Sequence, residues 1–217
     1  MMYPNSIPYE ETVLRQMALL RAMEGELGTG FLGMGETMDA DDIARLYQVV
    51  ARNAPSAELA PECYFRMGEL YSGRHSRRYD MALEPYETVA ARYPGNDLAP
   101  VASYHAARAR VLLSRKYPRD EKRTRAALLS IDTVLAAAVT RLPNADEARA
   151  ELLEWRKEVY DRLSHTAFQQ AEFYDTIRHK PEAAIAAYRR FLELYPDSPD
   201  AAQARRRLSE LTPAKAP

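Results

Sequence analysis

The chain has 217 residues, 47% of them hydrophobic and 28% charged, with only 8 glycines, a balance that suits an ordered soluble fold rather than a disordered chain. Thirty Lys and Arg set against 31 Asp and Glu leave a net charge of −1, so nothing in the charge favours nucleic acid. A single cysteine, Cys63, excludes an internal disulfide and a Cys-rich metal site, and no apolar run approaches the ~18 residues that a membrane helix needs.

In chain order, "YPNS" at Tyr3 to Ser6 reads as the end of a repeat unit whose first part is missing. No basic region followed by an apolar core precedes it, so no signal peptide is visible. A helix is expected over 7–26. "GTGFLG" (Gly28, Gly30, Gly33) then fits the G-x-G-x-x-G spacing, but a dinucleotide loop needs a strand before it, and here a helix precedes it. The stretch reads as a connector. The next helix, over 40–53, opens on "DADD" (Asp39 to Asp42). A calcium loop starting there would need glycine and glutamate where Ala44 and Val50 stand, so capping and the helix dipole explain the acids.

Further helices are expected over 58–72, 79–93, 97–115, 121–141, 145–177, 181–195 and 199–211, ending in a frayed "TPAKAP". Cys63, flanked by core-like residues, reads as a small buried apolar group. No window alternates with a period of two, so no strand is expected. The fold class is all-α with about nine helices. It divides into a partial repeat and connector at 1–38, repeats at 39–115 and 116–211, and a tail at 212–217, all in one solenoid.

A repeat runs through these helices. Ala82, Tyr86, Val89, Tyr93 and Pro94 are spaced by 4, 3, 4 and 1, and Ala184, Tyr188, Phe191, Tyr195 and Pro196 repeat that spacing. The first four of each set share one helix face, and the proline forces a stop because it disfavours helical geometry in the tyrosine before it. Ser198 then suits a cap, with Pro199 at the first helical position. Ile43, Tyr47, Val50 and Pro55, and Ile131, Leu135, Ala138, Leu142 and Pro143, are weaker copies. Gly68, Ala82, Ala171 and Ala184 supply small residues where helix backbones approach, and Tyr71, Tyr86, Tyr174 and Tyr188 supply aromatics for the adjoining gaps. Hairpins of this kind bury their apolar faces by stacking, which gives a curved superhelix with a concave groove. By register with Gly68 and Ala107, the side chains reaching that groove are Phe65, Glu69, Tyr104 and Arg108, the aromatic anchors and charges that a peptide-binding surface needs.

Chemistry finds little footing. His75, His105, His165 and His179 are scattered without metal-ligand spacing, and no serine sits in a nucleophile elbow. No catalysis, metal or cofactor is expected. Arg205 to Arg207 read as a solvated face, with the gripping of an acidic partner as the sharper alternative.

The pattern small-x2-aromatic followed by A-x3-Y-x2-[VF]-x4-P is similar to the tetratricopeptide repeat. More narrowly, "RLSHTAFQQAEFYDTIRHKPEAAIAAYRRFLELYPDSPDAAQARRRLSEL" resembles the last repeats of BamD-like proteins, lipoproteins of the β-barrel assembly machinery. Ala171, Phe173 and Tyr174, then Ala183 to Tyr188, then Tyr-Pro-Asp-Ser-Pro carry it, and the resemblance covers roughly residues 40–211. It implies a right-handed superhelix and a non-catalytic scaffold on the periplasmic face of the outer membrane. The implied partners are unfolded outer-membrane β-barrel proteins, bound in an N-terminal groove, and the barrel-forming subunit, met by the C-terminal repeats. Such proteins begin with an export signal and a lipidated cysteine. Cys63, inside a predicted helix, is not that cysteine, and the expectation is a chain truncated at its N-terminus, with membrane attachment only through an anchor it lacks. A general tetratricopeptide adaptor of another envelope or cytoplasmic complex is the rival reading.

Overall fold

The computed structural model describes residues 9–25, 39–53, 59–74 and 76–212. The expectations for Tyr3 to Ser6, the glycine connector, Pro55, His75 and the tail beyond Thr212 lie outside them. The described residues form nine α-helices and no strand. They are α1 (Tyr9–Gly25), α2 (Ala40–Asn53), α3 (Leu59–Ser72), α4 (Tyr79–Arg92), α5 (Leu98–Lys116), α6 (Glu121–Ala137), α7 (Ala145–Glu172), α8 (Pro181–Leu194) and α9 (Ala201–Leu211). Each packs on its neighbours in sequence, and α3 also packs on α5, the arrangement of stacked antiparallel hairpins. The fold is an all-α helical-repeat solenoid.

The Tyr-Pro stops act through the backbone. Tyr93 and Tyr195 leave helical geometry at φ/ψ of −126°/52° and −135°/60°, as residues before proline tend to. Their N–H groups still donate to Val89 O (3.1 Å) and Phe191 O (2.8 Å), closing the last turn. At the other end of α2, Asp39 Oδ1 accepts from the N–H of Asp42 at 2.8 Å, a side-chain cap that uses the first acid of "DADD".

Three places depart from simple helices. The helix expected over 121–141 stops at Ala137, and a 3₁₀ turn, Val139–Arg141, follows. That turn sinks Val139 into the core, and Leu142 is extended (ψ 146°) ahead of Pro143. The helix expected over 145–177 ends in a π-helical turn, Phe173–Ile177, whose closing bond runs from Arg178 N to Phe173 O at 2.9 Å. Finally, α9 begins at Ala201 rather than at 199, and Ser198 caps the turn before it by accepting from Asp200 N at 3.2 Å.

The apolar interior falls into two clusters. One joins Val13, Met17, Tyr47, Cys63, Phe65, Tyr71 and Tyr86 and ends at Ala106. The other begins at Ala107 and joins Val111, Ile131, Leu152, Trp155, Phe168, Ala171, Tyr188, Phe191 and Ala204. So α5 gives successive residues to the two cores.

In the α3–α4 and α7–α8 hairpins a tyrosine of the second helix is buried against the first. A Cβ built on Gly68 would lie 2.5 Å from Tyr86 Cε1 and 2.7 Å from two more ring carbons, so the backbone contact exists because residue 68 has no side chain. The Tyr86 and Ser72 hydroxyls share a hydrogen bond of 3.0 Å. In the later hairpin, Ala171, Ala184 and Tyr188 are fully buried, and the Tyr188 hydroxyl donates to Asp175 Oδ2 at 3.3 Å. Arg207 of α9 completes that contact, donating from Nε to Asp175 Oδ2 (2.9 Å) and from Nη2 to Oδ1 (3.0 Å). Arg205 donates to Pro196 O at 3.1 Å, and Arg206 lies 4.0 Å from Glu210, so the three arginines are engaged within the chain.

Candidate functional site

The first helices of successive hairpins, α3, α5 and α7, stand side by side, α3 packed on α5 and α5 joined to α7 through side chains, and present one continuous face. Phe65 of α3 and His105 of α5 touch edge to face, with centroids 5.6 Å apart. Tyr104 of α5 lies 5.5 Å from Trp155 of α7, and its hydroxyl donates to the Glu151 carboxylate. Further along, Arg115 makes a two-pronged pair with Glu158 (3.0 and 2.6 Å), and Arg162 donates to the carbonyl and hydroxyl of Ser114 (3.0 and 2.7 Å).

The four groove residues expected from register fall into different settings. Phe65 is buried, 9% exposed, and meets Tyr86 edge to face at 5.6 Å, so it forms floor rather than rim. Glu69 is half-buried beside Arg66 at 2.9 Å; burial raises its carboxyl, and Arg66 opposes that. Tyr104 is half-buried, and its phenol is pushed far up by burial and by Glu151. Arg108 is exposed and, among the described residues, forms no ion pair. Three neighbouring cations are already answered: Arg21 of α1 by Glu62 (2.5 Å), Arg66 by Glu69, and Arg115 by Glu158.

Of the scaffold residues, Gly68, Ala82, Tyr86, Ala171, Ala184 and Tyr188 are buried, Tyr174 is half-buried, and Pro94 and Pro196 are exposed at the stops.

Register did not single out His105. Its ring stacks on Tyr86 (5.3 Å, 18° between planes) and meets Tyr104 at 5.5 Å. Burial, helped by the Arg108 charge and partly opposed by Glu151, pushes its pKa down to about 4, so the ring is neutral near pH 7. The signal was present in the sequence: His105 and Arg207 each stand eleven residues beyond a Tyr-Pro proline, Pro94 and Pro196. Glu151 and Trp155 carried no comparable mark.

The result is an aromatic floor of Phe65, Tyr86, Tyr104 and His105 with one unanswered cation, Arg108, at its edge. Such a surface can take up an extended or helical segment through ring contacts and a charge. The Cys63 thiol is buried 3.4 Å from Met17 Sδ, and burial pushes it up to about 12. His165 stands between Asp200 (3.1 Å) and Gln169 (3.0 Å), while the Ser198 hydroxyl is turned to Ser164 (3.0 Å). Among the described residues no three His, Cys, Asp or Glu side chains converge as a metal site, and no helix is long and apolar enough to cross a membrane.

Residues 166–198 match the tetratricopeptide repeat, a span that takes in the last quarter of α7, the π-helical turn and α8. No curated protein matches the chain. With stacked hairpins along the described residues and a tetratricopeptide match over 166–198 within them, the chain is an all-α helical-repeat protein, a fold typical of scaffolds that bind other proteins.

Proposed function

We propose that the protein is a non-catalytic scaffold that holds a segment of a client protein on the inner face built by α3, α5 and α7. The observation that carries this reading is Arg108, exposed and without an ion pair among the described residues, beside an aromatic floor whose flanking cations Arg66 and Arg115 are paired. An unanswered guanidinium next to aromatic anchors offers a binding segment both affinity and register. The resemblance to BamD-like proteins supports unfolded outer-membrane β-barrel proteins as the clients. It also supports the barrel-forming subunit of the assembly machinery as the neighbour of the C-terminal repeats, and the periplasmic face of the outer membrane as the place of action. The general adaptor of another envelope or cytoplasmic complex is the second reading, favoured by the match to the tetratricopeptide repeat as such.

Fluorescence anisotropy with C-terminal peptides of outer-membrane β-barrel proteins and scrambled controls tests it. Native peptides are expected to bind more tightly than scrambled ones, and Tyr104→Ala and Arg108→Glu to weaken them by about tenfold or more. Equal binding of native and scrambled peptides moves the protein to the adaptor reading. Binding that ignores both substitutions removes the inner face.

A further inference from the structure

A second surface lies away from the inner face, where α7 outruns its partner. At 28 residues α7 is about 42 Å long, and the 17 residues of α6 reach about 25 Å, so α6 covers only part of it. The first turn of α6, Glu121 to Arg125, comes level with Thr166 and Gln170 and ends there. A furrow of about 450 Å³ opens there between α7 and α8, walled at one end by Glu121 and Arg125 and floored by Ala167, Tyr174, Ala186 and Ala187, with Gln170 and Arg190 also in its lining.

The earlier hairpin shows what occupies this position when it is filled. By the spacing that aligns Gly68 with Ala171 and Ala82 with Ala184, the counterparts of Ala167, Gln170 and Tyr174 are Tyr64, Met67 and Tyr71. There Met67 and Tyr71 are buried in the cluster that holds Tyr47 and Val50 of α2, which packs against α3. The seat is locked by charge: Arg78, just before α4, pairs with Asp41 in the first turn of α2 and lies 5.7 Å over the Tyr71 ring. The counterpart of Arg78 is Lys180, just before α8. Lys180 is exposed and, like Arg190, forms no ion pair among the described residues. Two further substitutions open the floor, since Ala186 and Ala187 stand where the earlier hairpin has Glu84 and Pro85.

We infer that this furrow seats an amphipathic helix of a partner protein, laid end to end with α6 in the role that α2 plays on α3. The helix carries acidic residues in its first turn, which meet Lys180, with a further acid for Arg190, and large apolar residues that fill the channel over the alanines. The site is separate from the inner face, and it serves assembly with a second protein while a client occupies the first.

Three fluorescein-labelled helical peptides test it against the full chain by anisotropy. They share one Leu/Tyr stripe and differ only in carrying Asp, Asn or Lys on the polar face. The expected order of affinity is Asp, Asn, Lys, with about tenfold between the extremes. Ala186→Trp, at an exposed position, should abolish binding, Lys180→Glu with Arg190→Glu should reverse the order, and Arg108→Glu should change nothing. Equal or reversed affinities, no binding by any of the three, or normal binding by an Ala186→Trp protein of native circular dichroism would each overturn the inference.

Discussion

In the α3–α4 hairpin Tyr86 presses on a glycine and shares a hydrogen bond with the hydroxyl of Ser72, four residues on. In the α7–α8 hairpin Tyr188 is buried in the cluster that contains Ala171, and it donates to the carboxylate of Asp175, again four residues on. The third member also sits at one address, eleven residues past the Tyr-Pro proline: His105 stacked on Tyr86, and Arg207 forked onto Asp175. One plan is executed with neutral groups in the first case and with an ion pair in the second. The neutral version leaves α5 free to continue into the next core through Ala107 and Val111. In the charged version α9 turns Gln203, Arg206 and Ser209 outward, where α5 has Val101, Tyr104 and Ala107.

The comparison can be broken most forcefully at the tyrosines. Tyr86→Ala and Tyr188→Ala should each cost about 3–5 kcal/mol in urea unfolding, because each empties a fully buried ring site. If the two costs differ widely, the hairpins are not equivalent. Next comes the ion pair. Arg207→Met leaves the carboxylate of Asp175, only 7% exposed, without its cation, whereas Arg207→Met with Asp175→Asn removes the charge altogether. The double variant should melt higher than the single one; the opposite order would make the pair incidental.

The notch residue sharpens the contrast. Gly→Ala in a helix is ordinarily worth about 1 kcal/mol of stabilisation. At Gly68 the new methyl meets the Tyr86 ring, and the sign should reverse to a loss of about 1–3 kcal/mol. Ala171→Gly, the converse change, should lose about 1 kcal/mol from helix propensity alone. The smallest expected effect is a pH slope. His105 titrates near 6.5 when unfolded and near 4 when folded, so between those values the unfolded chain binds the extra proton and stability falls as pH falls. The slope is at most about 1.4 kcal/mol per pH unit, and His105→Phe should flatten it in unfolding measured across pH 4 to 6.5. No such step is expected from the Arg207 address.

The helices were legible because their signals are local. Spacings of four and three fix the buried face, and the tyrosine before proline fixes the stop, so helices expected over 79–93 and 181–195 run from Tyr79 to Arg92 and from Pro181 to Leu194. The two irregular turns were not legible, because distant residues coincide with them. The π-helical turn contains Asp175, whose partner Arg207 is 32 residues away, and the break after Ala137 lets Val139 reach the core. The candidate site was legible to the same limit. Register named Tyr104 and Arg108, but the bond from Tyr104 to Glu151 spans 47 residues, and only the stacking of α7 beside α5 creates it.

The division of the interior at Ala106 and Ala107 bears on how the chain is made. Every side chain of the first cluster has left the ribosome before any side chain of the second emerges, so the leading half can close its core while the rest is still being synthesised. The last turns of α5 then present Ala107 and Val111 as a ready template, and the trailing hairpins assemble on an edge that is already solid.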